Sequence, residues 1–501
     1  MAEFGQLLHG FETALSGWNL LYCLIGVLVG QFVGVLPGLG PTTATALLIP
    51  LTFGMSPVSA IIMLSGIYYG AMYGGTITSV LINTPGEAAS VITCLDGYPM
   101  AKQGRAGTAL GAAGIGSFIG GTVSIFGLAF IGPALANFAL RFGPPEFFSL
   151  MVLGLIMVVG LMGKSLIRGL VATFIGLTLS LIGMDPISGA IRFTFDNPHL
   201  LDGFDLVTIA MGLFGITEIF MGMEDLSALP KPAKVQGLLP RREEWKPTLM
   251  AINRGTWLGF LIGLIPGTSS AIPALLSYAW EKKVAKDPSR FGKGAIEGVA
   301  GPETANNAYC GGALIPLFTL GIPSSPTIAI ILGAFIMHGL TPGPTLFINN
   351  ADFVWGVIAS MFIGNFMLLI MNVPLAGWWA KIATVPPKLL YPLILIISIL
   401  GAYTVSNEVW DVGVMLAGGV AGYFMQKLDI PMAPIVLTFV LSRLMERALV
   451  QSLKMFNGNI FEIFQRPICS LLLALAAIML IFSIVAAVKE KRAAFASDSE
   501  M

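Results

Sequence analysis

The chain is poor in charge. Only 11% of its 501 residues are Asp, Glu, Lys or Arg, against 55% hydrophobic, whereas soluble domains carry about 25% charged residues. So little charge over this length cannot cover a water-facing surface all round, which excludes an ordinary soluble protein. Formal net charge is zero, so bulk charge gives no reason to expect nucleic acid or an acidic partner. Cysteine and histidine are scarce as well. Cys23, Cys94, Cys310 and Cys469 lie scattered in apolar stretches, with neither metal-ligand spacing nor a disulfide framework. The histidines are far apart, the acids isolated, and no Walker A motif occurs. A membrane enzyme would need a nucleophile, base or metal constellation that this pattern does not offer. No catalytic residue, cofactor or structural metal is therefore expected. Lys and Arg are missing altogether before Lys102; without a basic n-region no cleaved signal peptide is expected.

What is present is a series of long apolar stretches, with a mean hydropathy of +0.84, which read as membrane spans. Gly and Pro interrupt several of them, and a helix break in lipid is tolerated only where protein or a cavity covers the freed backbone. The breaks recur in order. GVLPGLGPTT at 34–43 matches GLIPGTSS at 263–270. YGG at 73–75 matches YCGG at 309–312, and NTPG at 83–86 matches GIPSSP at 321–326. Pro-Pro at 144–145 matches 386–387, and Asp185-Pro186 matches Asp429-Ile430-Pro431. The offsets, 229, 237, 238, 242 and 244 residues, drift in one direction. Pro-Gly pairs are also common in membrane helices, but five in order indicate two diverged copies.

Basic loops set the orientation. Lys231, Lys234, Arg241, Arg242 and Lys246 precede residues 255–280, and Lys282, Lys283, Lys286, Arg290 and Lys293 follow them. Both flanks prefer the cytoplasm. Two legs of about 12 residues reach only about 18 Å each, so the stretch reads as a re-entrant hairpin with its tip at Pro266-Gly267-Thr268-Ser269. The hairpin near 20–53 has no basic flank and both its ends face outside. The broken stretch 57–100 then crosses inward and its counterpart 296–338 outward. The remaining stretches are 107–132, 146–162, 166–183 and 204–222, then 351–374, 388–403, 411–426, 431–447 and 467–488. The expected fold is an all-α polytopic membrane protein of two inverted-topology repeats, with about 11 spans plus two re-entrant hairpins. The first repeat covers 1–230, a cytoplasmic linker 231–254, the second repeat 255–447, and a last span with a cytoplasmic KEKR tail 448–501. Arg443, Arg447 and Lys454 fit poorly, since this topology puts them outside: either the positive-inside rule fails locally or a span there is miscounted.

The breaks hold the candidate site. Asn83, Thr84, Pro85 and Gly86 read as a helix start, with Thr84 as N-cap, Pro85 in the first turn and Glu87 completing a T-x-x-E capping box. Pro323, Ser324, Ser325 and Thr327 do the same around Pro326. The hairpin tips supply Thr42 and Thr43, and Thr268, Ser269 and Ser270. Two-fold inversion would gather these four tips near the midplane, where helix N-termini, amides and hydroxyls bind a carboxylate without a fixed cation. Bare carbonyls at the preceding half-helix ends suit Na⁺, giving Gly38, Gly267, Asn83 and Asn307 as ion-site candidates. The bland alternative is that the breaks merely kink helices. Glu87 reads as a cap, with an ion or proton ligand as the other reading. In GVAGPETANNAYCGG, Glu303, Asn306 and Asn307 share a helix face; they would bind substrate or cation, or lie wet at the cytoplasmic edge. Arg105, Arg168 and Arg254 read as orientation signals or snorkelling residues. His199 and His338 read as loop residues, and Trp378-Trp379 as interfacial anchors.

LPGLGPTTA, YYGAMYGGTITSVLINTPGEAASVITCLDGYPMAKQGRAGTALG, GPETANNA and FTLGIPSSP resemble the large membrane subunit of tripartite tricarboxylate transporters, over nearly the whole chain. The resemblance implies a bacterial inner-membrane protein working with a small four-helix membrane subunit and a periplasmic solute-binding protein. It implies uptake of citrate or another carboxylate, driven by a Na⁺ or proton gradient without ATP. It also implies an elevator-type architecture, in which about 20–100 and 255–338 move against the later spans. A channel for another small organic anion is the alternative.

Overall fold

The computed structural model describes residues 2–161, 165–185, 187–224, 232–382 and 385–498. Pro186 of the fifth repeat pair, Lys231 of the linker and the end of the 146–162 stretch lie outside them. The first half runs α1 (Ala2–Ala14), α2 (Gly17–Val35), α3 (Pro41–Leu48), α4 (Pro57–Ile82), α5 (Val91–Lys102), α6 (Ala106–Ala139), α7 (Pro144–Leu161) and α8 (Leu166–Ser180). Then come α9 (Leu206–Ala210) and α10 (Thr217–Glu224), joined by a π-helical turn at Met211–Ile216. The second half runs α11 (Trp245–Gly263), α12 (Ala271–Val284), α13 (Glu297–Leu320), α14 (Pro326–Met337), α15 (Leu346–Asn349), α16 (Ala351–Asn372) and α17 (Ala376–Ile382). It ends with α18 (Pro387–Ser406), α19 (Val409–Lys427), α20 (Ala433–Met455) and α21 (Pro467–Asp498).

Seven described helical segments, counting α9, the π turn and α10 as one, are long and apolar enough to cross a membrane, as in a helical polytopic membrane protein. Three more apolar helices, within Pro144–Val159, Leu166–Ser180 and Pro326–Met337, fall short of that length. The two legs of about 12 residues expected for the second hairpin are not found, and neither hairpin has equal legs. The first legs, α2 and α11, have 19 residues each, about 28 Å at the α-helical rise. The second legs have 8 and 14. The second hairpin begins at Trp245 rather than 255 because the polar start WKPTLMAINR continues the helix. Among the described residues one departure from an all-α chain occurs, a two-residue ribbon pairing β1 (Gly183–Met184) with β2 (Ile191–Arg192).

Small residues set the closest contacts. Gly26, Gly30 and Gly34 of α2 sit directly on the carbonyl oxygens of Met63, Ile67 and Ala71 of α4. Gly255, Gly259 and Gly263 of α11 sit in the same way on Gly301, Ala305 and Tyr309 of α13. A Cβ at any of the six would collide with the facing backbone. Lipid tails offer helices no hydrophobic drive to associate, so backbone approach through glycine supplies the packing instead. The register is the same in both halves: each glycine lies 229 residues after its counterpart, and each facing residue 238 after its own.

The halves interlock around these pairs. Helix α6 packs on α13 and α11, and α16 packs on α4, α6 and α1. Thus the first span after each broken helix belongs with the breaks. The flanks are exchanged: α7 and α8 of the first half pack on α20, whereas α18 and α19 of the second half pack on α9, the π turn and α10.

Candidate functional site

The second break starts a helix as its sequence predicts. α13 ends on Gly321 at φ 70°, and α14 begins at Pro326. Ser325 is the N-cap, its hydroxyl accepting from the Ile328 N–H at 3.3 Å. Ser324 turns the other way and donates to the Ala313 carbonyl at 2.8 Å. The first hairpin reaches this helix start: the Thr42 and Thr327 hydroxyls are 2.8 Å apart. Thr43 beside it donates to the Phe214 carbonyl in the π turn at 3.3 Å. The second hairpin tip closes on α13, where the Tyr309 hydroxyl donates to the Thr268 carbonyl at 3.0 Å. The Ser324 and Ser325 hydroxyls also lie near that tyrosine. Gly38 and Gly267 turn the two tips with φ of 82° and 79°. Ser269 and Ser270 are half-buried beside Gly267.

The first break does not start a helix at 85. α5 begins at Val91, and the expected capping box is absent. The Thr84 hydroxyl donates back to the Ile82 carbonyl at 3.3 Å, and the Thr84 N–H bonds Thr78. Asn83 ends α4 in the left-handed region at φ 57° and is exposed. The physical reason is a wedge: Gly86 is pressed between Gly34 and Gly75, where a Cβ would collide. That contact holds 83–90 as a turn and carries Glu87 inward rather than along a helix start. Pro85 is half-buried within it. The four tips therefore do not form one ring. Thr42 joins the second break, Thr268 joins α13, and Asn83 and Thr84 stand apart, near the linker where the Ala233 N–H bonds the Leu81 carbonyl.

What gathers around the first break is acid. The Glu87 carboxylate accepts from Asn306 Nδ2 at 2.7 Å. Glu303 accepts from Thr76 at 2.6 Å and from Thr93. Asn307 donates to Ser117 at 2.8 Å and to the Glu303 carbonyl at 3.1 Å. Glu303, Asn306 and Asn307 are at most 1% exposed, which overturns the wet-edge reading. From α13 they reach different partners: Glu303 meets α4 and α5, Asn306 the 83–90 turn, and Asn307 α6. Among the described residues no basic side chain pairs with Glu87 or Glu303, and the Asn306 and Asn307 Oδ1 atoms have no donor. A bare carboxylate at this depth is costly. Two acids and two open amide oxygens can take up a proton or a small cation, and release it again.

Other singled-out side chains have partners that the sequence does not specify, and His199 and His338 lie outside the α-helices as expected. Arg254 forks onto Glu281 at 2.7 and 2.5 Å, Arg168 bonds Asp429 at 3.0 Å, and Arg105 pairs with Glu244. His199 bonds Glu408 at 2.7 Å and His338 lies 3.2 Å from the Thr52 hydroxyl. Trp378 is exposed as an anchor would be, but Trp379 is 3% exposed. The sequence reading missed Glu218, whose carboxylate lies beside the tip at Gly38. Apart from Asp205, which caps α9 at the edge of the stretch 204–222, it is the lone acid there, and that isolation was the available signal. It also missed the π turn, a feature frequent at functional sites, and two buried amide links: Gln31 with Asn372 at 2.9 and 3.0 Å, and Asn365 with Tyr73 at 2.6 Å.

The sequence profile of the tripartite tricarboxylate transporter TctA family matches residues 20–437. The chain is 43% identical over 493 residues to an uncharacterized 52.8 kDa protein in the TAR-I ttuC' 3' region of Agrobacterium vitis, covering 98% of both. It is 41% identical over 234 residues to an uncharacterized protein in the TAR-II ttuC' 3' region of the same organism, covering 47% of this chain and 97% of that one. No solved structure matches. With a profile spanning most of its length and a full-length relative, the chain belongs to the tripartite tricarboxylate transporter TctA family.

Proposed function

We propose that the protein is the permease of a secondary uptake system for a tricarboxylate or related citrate-like carboxylate, driven by an ion gradient. The carrying observation is the pairing of two unlike elements: a capped helix start joined to a hairpin tip through Thr42 and Thr327, and buried acids without basic partners at Glu87 and Glu303. A helix N-terminus lined by hydroxyls favours an anion; buried acids without basic partners favour Na⁺ or H⁺. The substrate-side residues are then Thr42, Thr43, Thr268, Ser269, Ser270, Pro323, Ser324 and Ser325. Asn306, Asn307, Glu87 and Glu303 form the ion side, with Na⁺ as coupling ion and H⁺ as the alternative.

The equal registers of α2 on α4 and α11 on α13 support two inverted repeats with re-entrant hairpins. An elevator motion follows: the hairpins, broken helices, α6 and α16 move together against the exchanged flanks. The membrane is the bacterial inner membrane, with the C-terminus cytoplasmic. Family membership supports a small membrane subunit and a periplasmic solute-binding protein as partners.

The test is uptake of labelled citrate into proteoliposomes holding the chain and its small subunit, with binding protein outside, with and without an inward Na⁺ gradient. Saturable uptake that collapses with the gradient is expected. Uptake indifferent to every ion gradient would point to a channel instead.

A further inference from the structure

Of the three basic residues that the topology does not explain, Arg443, Arg447 and Lys454, one stands out. Arg447 is on α20, which ends at Met455. Eight residues separate the two, placing Arg447 about 12 Å below the helix end. The orientation reading puts this end outside, so the positive-inside rule does not account for the residue. A charge at that depth is costly unless it faces the protein interior or water.

The neighbouring arginines are occupied. Arg192 bonds both Asp185 and Glu446. Asp185 is held down to about 2, first by the Ser188 hydroxyl, then by the Ile187 N–H, with Arg192 adding to it, so it stays ionised and with its partner. Arg443 donates to the Phe204 carbonyl at 3.2 Å and lies over the Phe439 ring. Among the described residues none engages the Arg447 guanidinium.

Two adjoining cavities meet at it. One, about 340 Å³, holds Asp185, Arg192, Asp202, Arg443 and Glu446 besides Arg447. In the other, about 580 Å³, Arg447 is the sole charged lining residue. There Gln451, one turn further along α20, and Thr341 add polar groups, and Leu320 and Gly321 form part of the wall. Gly321 is the residue that ends α13 at the second break. The larger cavity thus runs from an uncommitted guanidinium to the edge of the proposed substrate site. Its other walls are apolar, which lets one charge dominate the field.

From this geometry we infer that Arg447 and its cavity form an outer receiving site for the carboxylate groups of the substrate, ahead of the Ser325–Thr327 helix start. This inference rests on the carboxylate-uptake reading for the identity of the ligand. Guanidinium matches carboxylate geometry bidentately, and its position on α20, outside the body that carries the breaks, lets it release the anion when the breaks move.

The test reads the cavity directly rather than uptake. Ile336 lines both cavities and is 58% exposed. An Ile336→Cys variant in membrane vesicles is labelled from outside by an anionic and by a cationic methanethiosulfonate, with the chain lacking that cysteine as background. The anionic-to-cationic rate ratio should fall at least fivefold in Arg447→Gln and remain near the parent value in Arg447→Lys. Millimolar citrate or succinate should slow labelling in the parent but not in Arg447→Gln. A ratio unchanged by Arg447→Gln, or labelling indifferent to both acids, overturns the inference. Protection by citrate in a protein that shows no carboxylate uptake would instead overturn the transport reading and leave the anion site standing.

Discussion

The two breaks begin alike and are built differently. At each, a helix ends on a left-handed residue, Asn83 at φ 57° and Gly321 at φ 70°. After the first, residues 83–90 form a turn pressed by Gly86 against α2 and α4, and Glu87 is driven inward to Asn306. After the second, residues 321–325 lead straight into a capped helix whose first turn carries Thr327 to the opposite hairpin. The longer turn buries charge, and the shorter one presents a helix start. In the proposed transport reading, two copies of one design divide the two tasks of coupled transport, holding an ion and holding an anion.

The shared frame gives the largest expected effect. Gly30→Leu and Gly259→Leu each drive a side chain into the facing backbone, at Ile67 and at Ala305. Overpacking usually costs about 1–3 kcal/mol, and here no side chain can yield. Folded protein recovered from membranes should fall more than tenfold for both, measured by monodisperse material in size exclusion. If one variant folds normally, the matching registers do not carry equal weight and the repeat comparison breaks.

Next come the acids. Glu303→Gln keeps an acceptor for Thr76 but removes the charge. Uptake should drop about 100-fold, or ~2.7 kcal/mol of barrier, with folded amount near parent. The residual uptake should also lose its dependence on Na⁺ or on pH. Full ion dependence in Glu303→Gln would move the coupling site elsewhere, with Glu218 beside Gly38 the next place to look.

Much of this was legible from residue order. The Pro-Gly tips, the two breaks, the capped start at Ser325 and the candidacy of Glu303, Asn306 and Asn307 follow from local signals and from how rarely charge occurs in the chain. The reading failed at Thr84, where T-x-x-E is a good local capping signal but Gly86, wedged against Gly34 and Gly75, decides the backbone. Tertiary contact overrode a preference of about 1 kcal/mol. The π turn, the exchange of flanks and the isolation of Arg447 depend on which faces meet, which no window of sequence contains.

That failure yields the third contrast. Ser325→Ala removes a real cap, typically worth about 1 kcal/mol, at the proposed substrate end. The apparent KM for the carboxylate should rise about fivefold, the same energy converted, with little change in Vmax. Thr84→Ala removes a hydroxyl that only returns to Ile82, and uptake should stay within about twofold, the span left to a surface-like substitution. Equal damage from both would mean that the first break also handles substrate.

The smallest effect tests the joint between the halves. Thr42 and Thr327 share one hydroxyl contact at 2.8 Å, with Thr42 half-buried and Thr327 buried. A neutral hydrogen bond contributes about 0.5–1.5 kcal/mol net, so a double-mutant cycle with Thr42→Ala and Thr327→Ala should give a coupling near 1 kcal/mol in thermal stability. In the elevator arrangement both residues ride in the same moving body. The contact is then kept throughout the cycle, and the coupling in uptake rate should be no larger than the coupling in stability. If the first hairpin instead opens away from the second break to admit substrate, the bond is broken during transport. Removing it would then speed opening while lowering stability, and the two couplings would carry opposite signs. The sign of that small number therefore separates a body that slides whole from a hairpin that gates.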